Sequence, residues 1–161
     1  MMRIGQSTDI HTLAPGKELI VGGISIPSQM MSVGHSDADC LLHAITESLL
    51  GALALGDLGT WFPDTDTAYK GIDSSLLLKE VVAHITGLNY HVVNIDCMVF
   101  LERPKLKPYI EAIRSNIAQL LNVKVSQVSV KATTGEGVGI VGSNVAIVAS
   151  STVLLEQKTS K

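Results

Sequence analysis

Two short stretches carry the side chains that can do chemistry. Asp9-Ile10-His11 alternates, and in an extended segment residues two apart point to the same side, so Asp9 and His11 can converge on one ion. Gly34-His35-Ser36-Asp37-Ala38-Asp39-Cys40-Leu41-Leu42-His43 packs two histidines and two aspartates together and then runs on as an apolar helix. In that helix His43 lies one turn after Asp39 and one turn before Glu47. All three can share a face, and a carboxylate there would orient the second nitrogen of the imidazole. Asp9, His11 and His43 together make a set of two imidazoles and one carboxylate. Structural zinc is usually closed by four ligands, whereas three ligands with a position left open are what catalytic zinc needs. The same ligand types hold iron as a facial triad, so ligand count alone leaves the metal open.

These residues need particular elements to position them. Met2-Arg3-Ile4-Gly5 begins a strand that delivers Asp9 and His11, and Glu18 to Ile26 reads as a hairpin turning at Gly22-Gly23 and ended by Pro27. Ser36, with Asp39 three positions later, reads as the N-cap and acidic partner of the first helix. Leu42, Ile45, Leu49 and Leu53 then recur at helical spacing and face a core, and Gly56 ends the pattern. Asp57 to Asp66 is a loop rich in turn formers and acids. A second helix, capped by Ser74 or Asp73, runs through Ile85 and closes at Gly87; His84 near its end has a structural role or none. Tyr90 to Leu101 is a long strand, linked by Glu102–Pro108 to a third helix over 108–121. Val125 to Ala132 is a strand, Thr133 to Gly139 a turn rich in hydroxyls and glycines whose backbone donors could cradle phosphate, and Val145 to Leu155 a last strand. The order β-β-β-α-α-β-α-β-β indicates the α+β class: one two-layer domain over 1–157, a mixed sheet with helices packed on one face, and a frayed tail at 158–161.

A chain of 161 residues that is 46% hydrophobic is long enough for one domain with a real core. Its net charge of −3 gives no bulk reason to expect nucleic acid or an anionic membrane as partner. Cys40 and Cys97 lack CxxC spacing and read as small buried side chains in a reducing compartment. There is no basic-then-apolar leader and no run of about 18 apolar residues. The expected setting is soluble and cytoplasmic, or the plastid stroma if a transit peptide has been removed.

At this point the sequence closely resembles the 2-C-methyl-D-erythritol 2,4-cyclodiphosphate synthase family of non-mevalonate isoprenoid biosynthesis. The resemblance rests on Arg3-Ile4-Gly5 with Asp9-Ile10-His11, Gly34 to Asp39 with His43-Ala44, and Leu55-Gly56-Asp57-Leu58-Gly59. It continues through Phe62-Pro63-Asp64-Thr65-Asp66, Lys70 to Ser74, Arg103-Pro104-Lys105-Leu106 and Val130 to Thr134. It implies a homotrimer with active sites between subunits, and a reaction in which the 2-phosphate of a cytidine-diphosphate substrate attacks its own β-phosphate and expels CMP. It implies zinc, or another divalent transition metal, on Asp9, His11 and His43. His35 and Thr134 would stabilise the transition state, and Glu136 would hold magnesium or manganese at the diphosphate. Ser36 would help hold phosphate; Asp57 and Gly59 would bind the erythritol hydroxyls, with Phe62, Asp64 and Asp66 lining the same pocket. Leu101, Lys105, Leu106, Lys107, Ala132 and Thr133 would form the cytidine and CMP-phosphate site.

Some positions depart from the family pattern. Gln6 and Glu47 replace the usual His and Asp. After Glu136 the usual Lys-Leu-Gly-Phe-Thr-Gly-Arg is here Gly137-Val138-Gly139-Ile140-Val141-Gly142-Ser143. Two rival readings belong to other classes: a zinc-dependent phosphoester hydrolase with Asp64 or Glu136 activating water, and a non-catalytic nucleotide- or metal-binding trimer.

Overall fold

Strand β1 (Met2–Pro15) alternates between two environments: Gly5 and Leu13 are buried, while Ile4 and Ile10 are 70% and 56% exposed. The computed structural model describes residues 1–63 and 65–158; Asp64 and residues 159–161 of the expected tail lie outside the described residues. After β1 come β2 (Glu18–Val21), β3 (Ile24–Pro27), β4 (Met30–Val33), α1 (Cys40–Ala52), α2 (Leu58–Trp61) and α3 (Ser74–Gly87). Then follow β5 (Tyr90–Phe100), α4 (Ile110–Leu121), β6 (Val128–Thr133), α5 (Gly139–Gly142) and β7 (Ala146–Gln157). Five strands form one sheet in the order β4-β1-β7-β5-β6, and β2 with β3 forms a separate hairpin. The β5–β6 pair is parallel and the other pairs are antiparallel, so the sheet is mixed, as expected. A shift of register between Val92 and Asn94 bulges β5 against β7.

One face of the sheet carries the helices. Ile147, Ala149, Val153 and Leu155 of β7, with Ile95, Cys97 and Val99 of β5, meet Leu42, Ile45 and Leu49 of α1 in one core. Helix α1 crosses β1 at Gly5, where a Cβ would sit 1.9 Å from the Ser48 carbonyl oxygen; only glycine lets helix and strand approach that closely. Because strand side chains alternate, this packing puts Asp9 and His11 on the helix side and Ile4 and Ile10 on the open side. Among the described residues no helix is long and apolar enough to cross a membrane.

The hairpin turn sits where Gly22-Gly23 predicts, with both residues at positive φ (61° and 75°), as a two-residue turn between twisted strands requires. Its position depends on Asp39. That carboxylate is fully buried and accepts the N–H groups of Gly22 (3.0 Å), Gly23 (2.6 Å) and Leu42 (2.9 Å). Asp39, and not Ser36, is therefore the N-cap of α1. A carboxylate has the acceptor capacity for three backbone donors, which a seryl hydroxyl lacks. Nor does Asp39 orient His43, since both of its oxygens are used elsewhere. Burial pushes the Asp39 carboxyl up to about 6 against the pull of those donors.

Several boundaries differ from the sequence reading, each for a local reason. β4 was not expected; this four-residue edge strand is too short to show periodicity and exists by pairing with Thr12–Pro15 of β1. β6 starts at Val128, because Gln127 closes a 3-10 turn over Val125–Gln127, accepting from Lys124 N (3.0 Å) and donating to Val93 O (2.7 Å). The cap of α3 is Asp73, which accepts from Ser75 N. Asp39→Asn would set an amide donor against backbone donors. It should lower stability by about 2 kcal/mol and Tm by roughly 5 °C, read by thermal unfolding at pH 7.5 and fixed protein concentration.

Candidate metal centre and nucleotide pocket

β1 and α1 bring the three expected ligands together. Asp9 Oδ2 lies 3.0 Å from His11 Nε2 and 3.3 Å from His43 Nδ1, and the two imidazole nitrogens are 3.2 Å apart. The rings meet edge to face at 5.0 Å between centroids. His11 Nδ1 is 2.9 Å from the carbonyl oxygen of Ala38. A carbonyl can only accept, so Nδ1 carries the proton and the Nε2 lone pair faces the cluster. Asp9 Oδ2 is buried, and the neighbours it has are the two imidazole nitrogens. A buried carboxylate oxygen facing imidazole lone pairs is unfavourable unless a proton or a metal cation sits among them, and the donor set fits a divalent transition metal.

The titration behaviour of the three fits the same picture. Burial works to raise the Asp9 carboxyl, but the imidazoles of His11 and His43 outweigh it and hold it well below the usual carboxylate range. Burial disfavours charge on His11, yet the bond to Asp9 and its charge win and raise His11 above 6.5. Metal binding displaces any proton the cluster holds, so it depends on pH.

His43 Nε2 meets two hydroxyls, Ser74 Oγ at 2.9 Å and Ser36 Oγ at 3.0 Å. Sequence reasoning assigned its orientation to Asp39 or Glu47. Asp39 is spent on the hairpin, and Glu47 accepts from Ser7 Oγ (2.7 Å) and Leu58 N (3.4 Å). Ser74 was read only as a possible helix cap; its contact with His43 spans 31 residues, and no local pattern announces it.

The expected nucleotide residues also assemble. Leu101, Lys105, Leu106, Lys107, Ala132 and Thr133 line one cavity of about 410 Å³, with Thr134 and Ile110 beside them. Ile110 escaped the sequence reading because it looks like any apolar residue in the first turn of a helix. Past the cavity, Thr134 Oγ1 donates to the Glu136 carboxylate, and Gly135 N donates to Glu102 (3.0 Å).

The remaining expected residues are more scattered. His35 is exposed on the loop before α1, its carbonyl accepting from Gly71 N at 2.8 Å. Asp57 caps α2, and hydrogen bonds from the Thr60 hydroxyl and N–H hold its carboxyl below the usual range. Gly59 lies exposed within α2, and the Asp66 carbonyl accepts from Tyr69 N. Phe62 is 7% exposed, its ring edge-on to Tyr69 in the core, so a pocket could meet it only through the backbone. Asp64 falls outside the described residues.

The YgbB family model matches residues 2–156. The chain belongs to the YgbB family. A relative from Chloroherpeton thalassium named 2-C-methyl-D-erythritol 2,4-cyclodiphosphate synthase is 53% identical over 156 residues, 97% of this chain and 99% of its own. The resemblance read from the motifs therefore holds along the YgbB match. Among solved structures, a bifunctional IspDF from Campylobacter jejuni superposes with a TM-score of 0.94 at 35% identity; the match covers 98% of this chain and 43% of that longer one. An IspF from Plasmodium falciparum in complex with CDP gives 0.87 at 35% identity, covering 98% of this chain and 97% of that one.

Because His11 is raised above 6.5, apparent zinc affinity should climb as pH rises through the region above that value and then level off. Competition against a chromophoric chelator across pH checks this, and His43→Ala should abolish stoichiometric zinc at every pH.

Proposed function

We propose that this chain carries out the reaction named for its YgbB relatives. It converts 4-diphosphocytidyl-2-C-methyl-D-erythritol 2-phosphate to 2-C-methyl-D-erythritol 2,4-cyclodiphosphate and CMP. The observation that carries the reading is the convergence of Asp9, His11 and His43 in a cluster partly open to solvent. The CDP complex of the Plasmodium falciparum relative supports a cytidine diphosphate ligand, and the cavity at Leu101–Lys107 and Ala132–Thr134 is the place for it.

An oxygen of the 2-phosphate forms a bond to the β-phosphorus, the bond from that phosphorus to the α–β bridging oxygen breaks, and CMP leaves with the electron pair. Nucleophile and electrophile belong to one molecule, so the protein has mainly to fold the substrate into line and neutralise charge. Asp9, His11 and His43 would hold zinc or a similar divalent ion, which would supply a Lewis acid, and Glu136 would hold magnesium or manganese, which would supply positive charge for the diphosphate. The chain's own groups do the rest. Lys105 and Thr133 meet the CMP phosphate, while Leu101, Leu106, Lys107 and Ala132 hold the nucleoside. Ser36 donates to a phosphate oxygen, and His35 and Thr134 stabilise the crowded phosphates at the transition state. Asp57 and Gly59 take the erythritol hydroxyls, in a pocket to which the resemblance also assigns Phe62, Asp64 and Asp66. The domain is the unit over 1–157, acting in the cytoplasm without nucleic acid or membrane.

The assembly is a homotrimer with each active site shared between neighbours. Two observations support this. Asp9 pairs with Ala149, Ala149 with Val99, and Val99 with Ala132, so the metal cluster and the nucleotide cavity of one chain are three strands apart. At the usual strand spacing that is roughly 14 Å, with buried sheet between them. The open side of the sheet also exposes Ile4, Ile10 and Phe100, an apolar surface that suits a second copy.

Incubation with the cytidine-diphosphate substrate and phosphorus NMR should show CMP and a cyclic diphosphate. Inorganic phosphate or an open-chain product would favour the hydrolase instead. Glu136→Gln should weaken the magnesium response and leave zinc content unchanged. Mixed trimers of His43→Ala and Thr134→Ala chains should regain activity through hybrid sites; no recovery in verified mixtures would count against sharing.

A further inference from the structure

His43 reaches the metal cluster through Nδ1, so its Nε2 must carry the ring proton if the Nδ1 lone pair is to face inward. Two hydroxyls stand beside Nε2, and a hydroxyl can donate or accept. The direction is decided one residue further out. Asp37 Oδ2 accepts from Ser74 N at 3.0 Å, and its Oδ1 accepts from Asp39 N at 3.2 Å and from Ser74 Oγ. Ser74 is buried, and Asp37 is itself pinned by its N–H to the Ile72 carbonyl at 3.0 Å. The single hydroxyl proton of Ser74 is thus committed to a carboxylate. Toward His43, 2.9 Å away, Ser74 Oγ can only accept.

We propose that Asp37 and Ser74 form a positioning relay that sets the tautomer of His43 and aims its Nδ1 lone pair at the metal. This rests on the metal-centre reading above. Polarity runs one way along the chain: carboxylate accepts from hydroxyl, hydroxyl accepts from Nε2–H, and Nδ1 is left as a bare donor for a cation. The Ala38 carbonyl does the same for His11 in one step. Two ligands from different elements are thereby fixed by groups outside the cluster, the arrangement that metal-binding histidines generally need. Ser36 has a different part. Its oxygen, 3.0 Å from His43 Nε2 and 3.3 Å from Ser74 Oγ, accepts from Ala38 N at 3.3 Å. With Nε2 protonated, the Ser36 proton is free to turn to a ligand.

The relay makes a prediction that a merely structural contact would not. Ser74→Ala keeps the backbone N–H bond to Asp37 but removes the acceptor of fixed polarity, leaving the ring to Ser36 Oγ alone at 3.0 Å, a hydroxyl free to donate or accept; zinc affinity should fall about tenfold. Asp37→Asn does more harm. With its oxygen kept on the shorter bond from Ser74 N, its amide nitrogen loses the longer bond from Asp39 N, faces Ser74 Oγ and donates to it. The hydroxyl proton then turns toward Nε2 and drives the ring proton to Nδ1, where metal should bind. The loss should be nearer the hundredfold end of the usual range. The double variant has no hydroxyl to reverse, so its affinity should return to that of Ser74→Ala.

Chelator competition on the purified proteins measures all three against the unmodified chain. Long-range proton–nitrogen NMR on the zinc-loaded unmodified protein should show His43 protonated at Nε2, a measurement that needs no variant to fold. An Nδ1–H tautomer there would overturn the relay. So would Asp37→Asn binding zinc no more weakly than Ser74→Ala, or losses that add in the double variant. Failure of the unmodified protein to bind stoichiometric zinc would instead sink the metal centre, and the relay with it.

Discussion

A carboxylate with no water around it must find its donors in the protein, and Asp39 finds three on two different elements. That requirement joins the turn of the β2–β3 hairpin to the start of α1. It also determines what stands next to Asp39 in the chain. Ala38, at φ 59°, presents its carbonyl to His11; His43 follows one helical turn later, facing Asp9 across β1. The hairpin is held from its other side by Asn116, whose amide donates to the Gly22 carbonyl at 2.8 Å. The metal cluster is therefore referenced to the core through one buried charge.

Much of this was legible in the sequence, and the reasons differ from piece to piece. The Asp9/His11 pair is a statement about strand geometry, and a strand with alternating character delivers it wherever the strand goes. Gly22-Gly23 fixes a hairpin because only glycine adopts two successive positive φ values so cheaply. The cytidine residues were legible only through resemblance. Nothing in the spacing of Lys105 and Thr133 says that they face one cavity; that follows from the parallel pairing of β5 with β6, a contact across more than thirty residues.

What was misread has one common cause. Ser36 was given the cap and Asp39 the histidine because both assignments use neighbours in sequence. In the folded chain Asp39 serves the helix start and the distant hairpin, while Ser36 and the distant Ser74 serve the imidazole. Polar side chains near a helix start have several chemically equivalent uses, and long-range packing selects among them. Phe62 was assigned to the erythritol pocket through resemblance alone; its ring packs against Trp61 and Tyr69, which no local pattern announces.

The loop after Glu136 is shaped by missing atoms. A Cβ on Gly135 would come within 2.4 Å of Gly142 N, and one on Gly142 within 2.3 Å of the Gly137 carbonyl carbon. The backbone here folds onto itself with no room to spare, while Val138 and Ile140 stand 74% and 50% exposed. Such a segment separates two kinds of inheritance. Its path leaves no room for a Cβ at Gly135 or Gly142. Its outward side chains answer to nothing inside the subunit, and a lineage can rewrite them without disturbing Thr134 or Glu136.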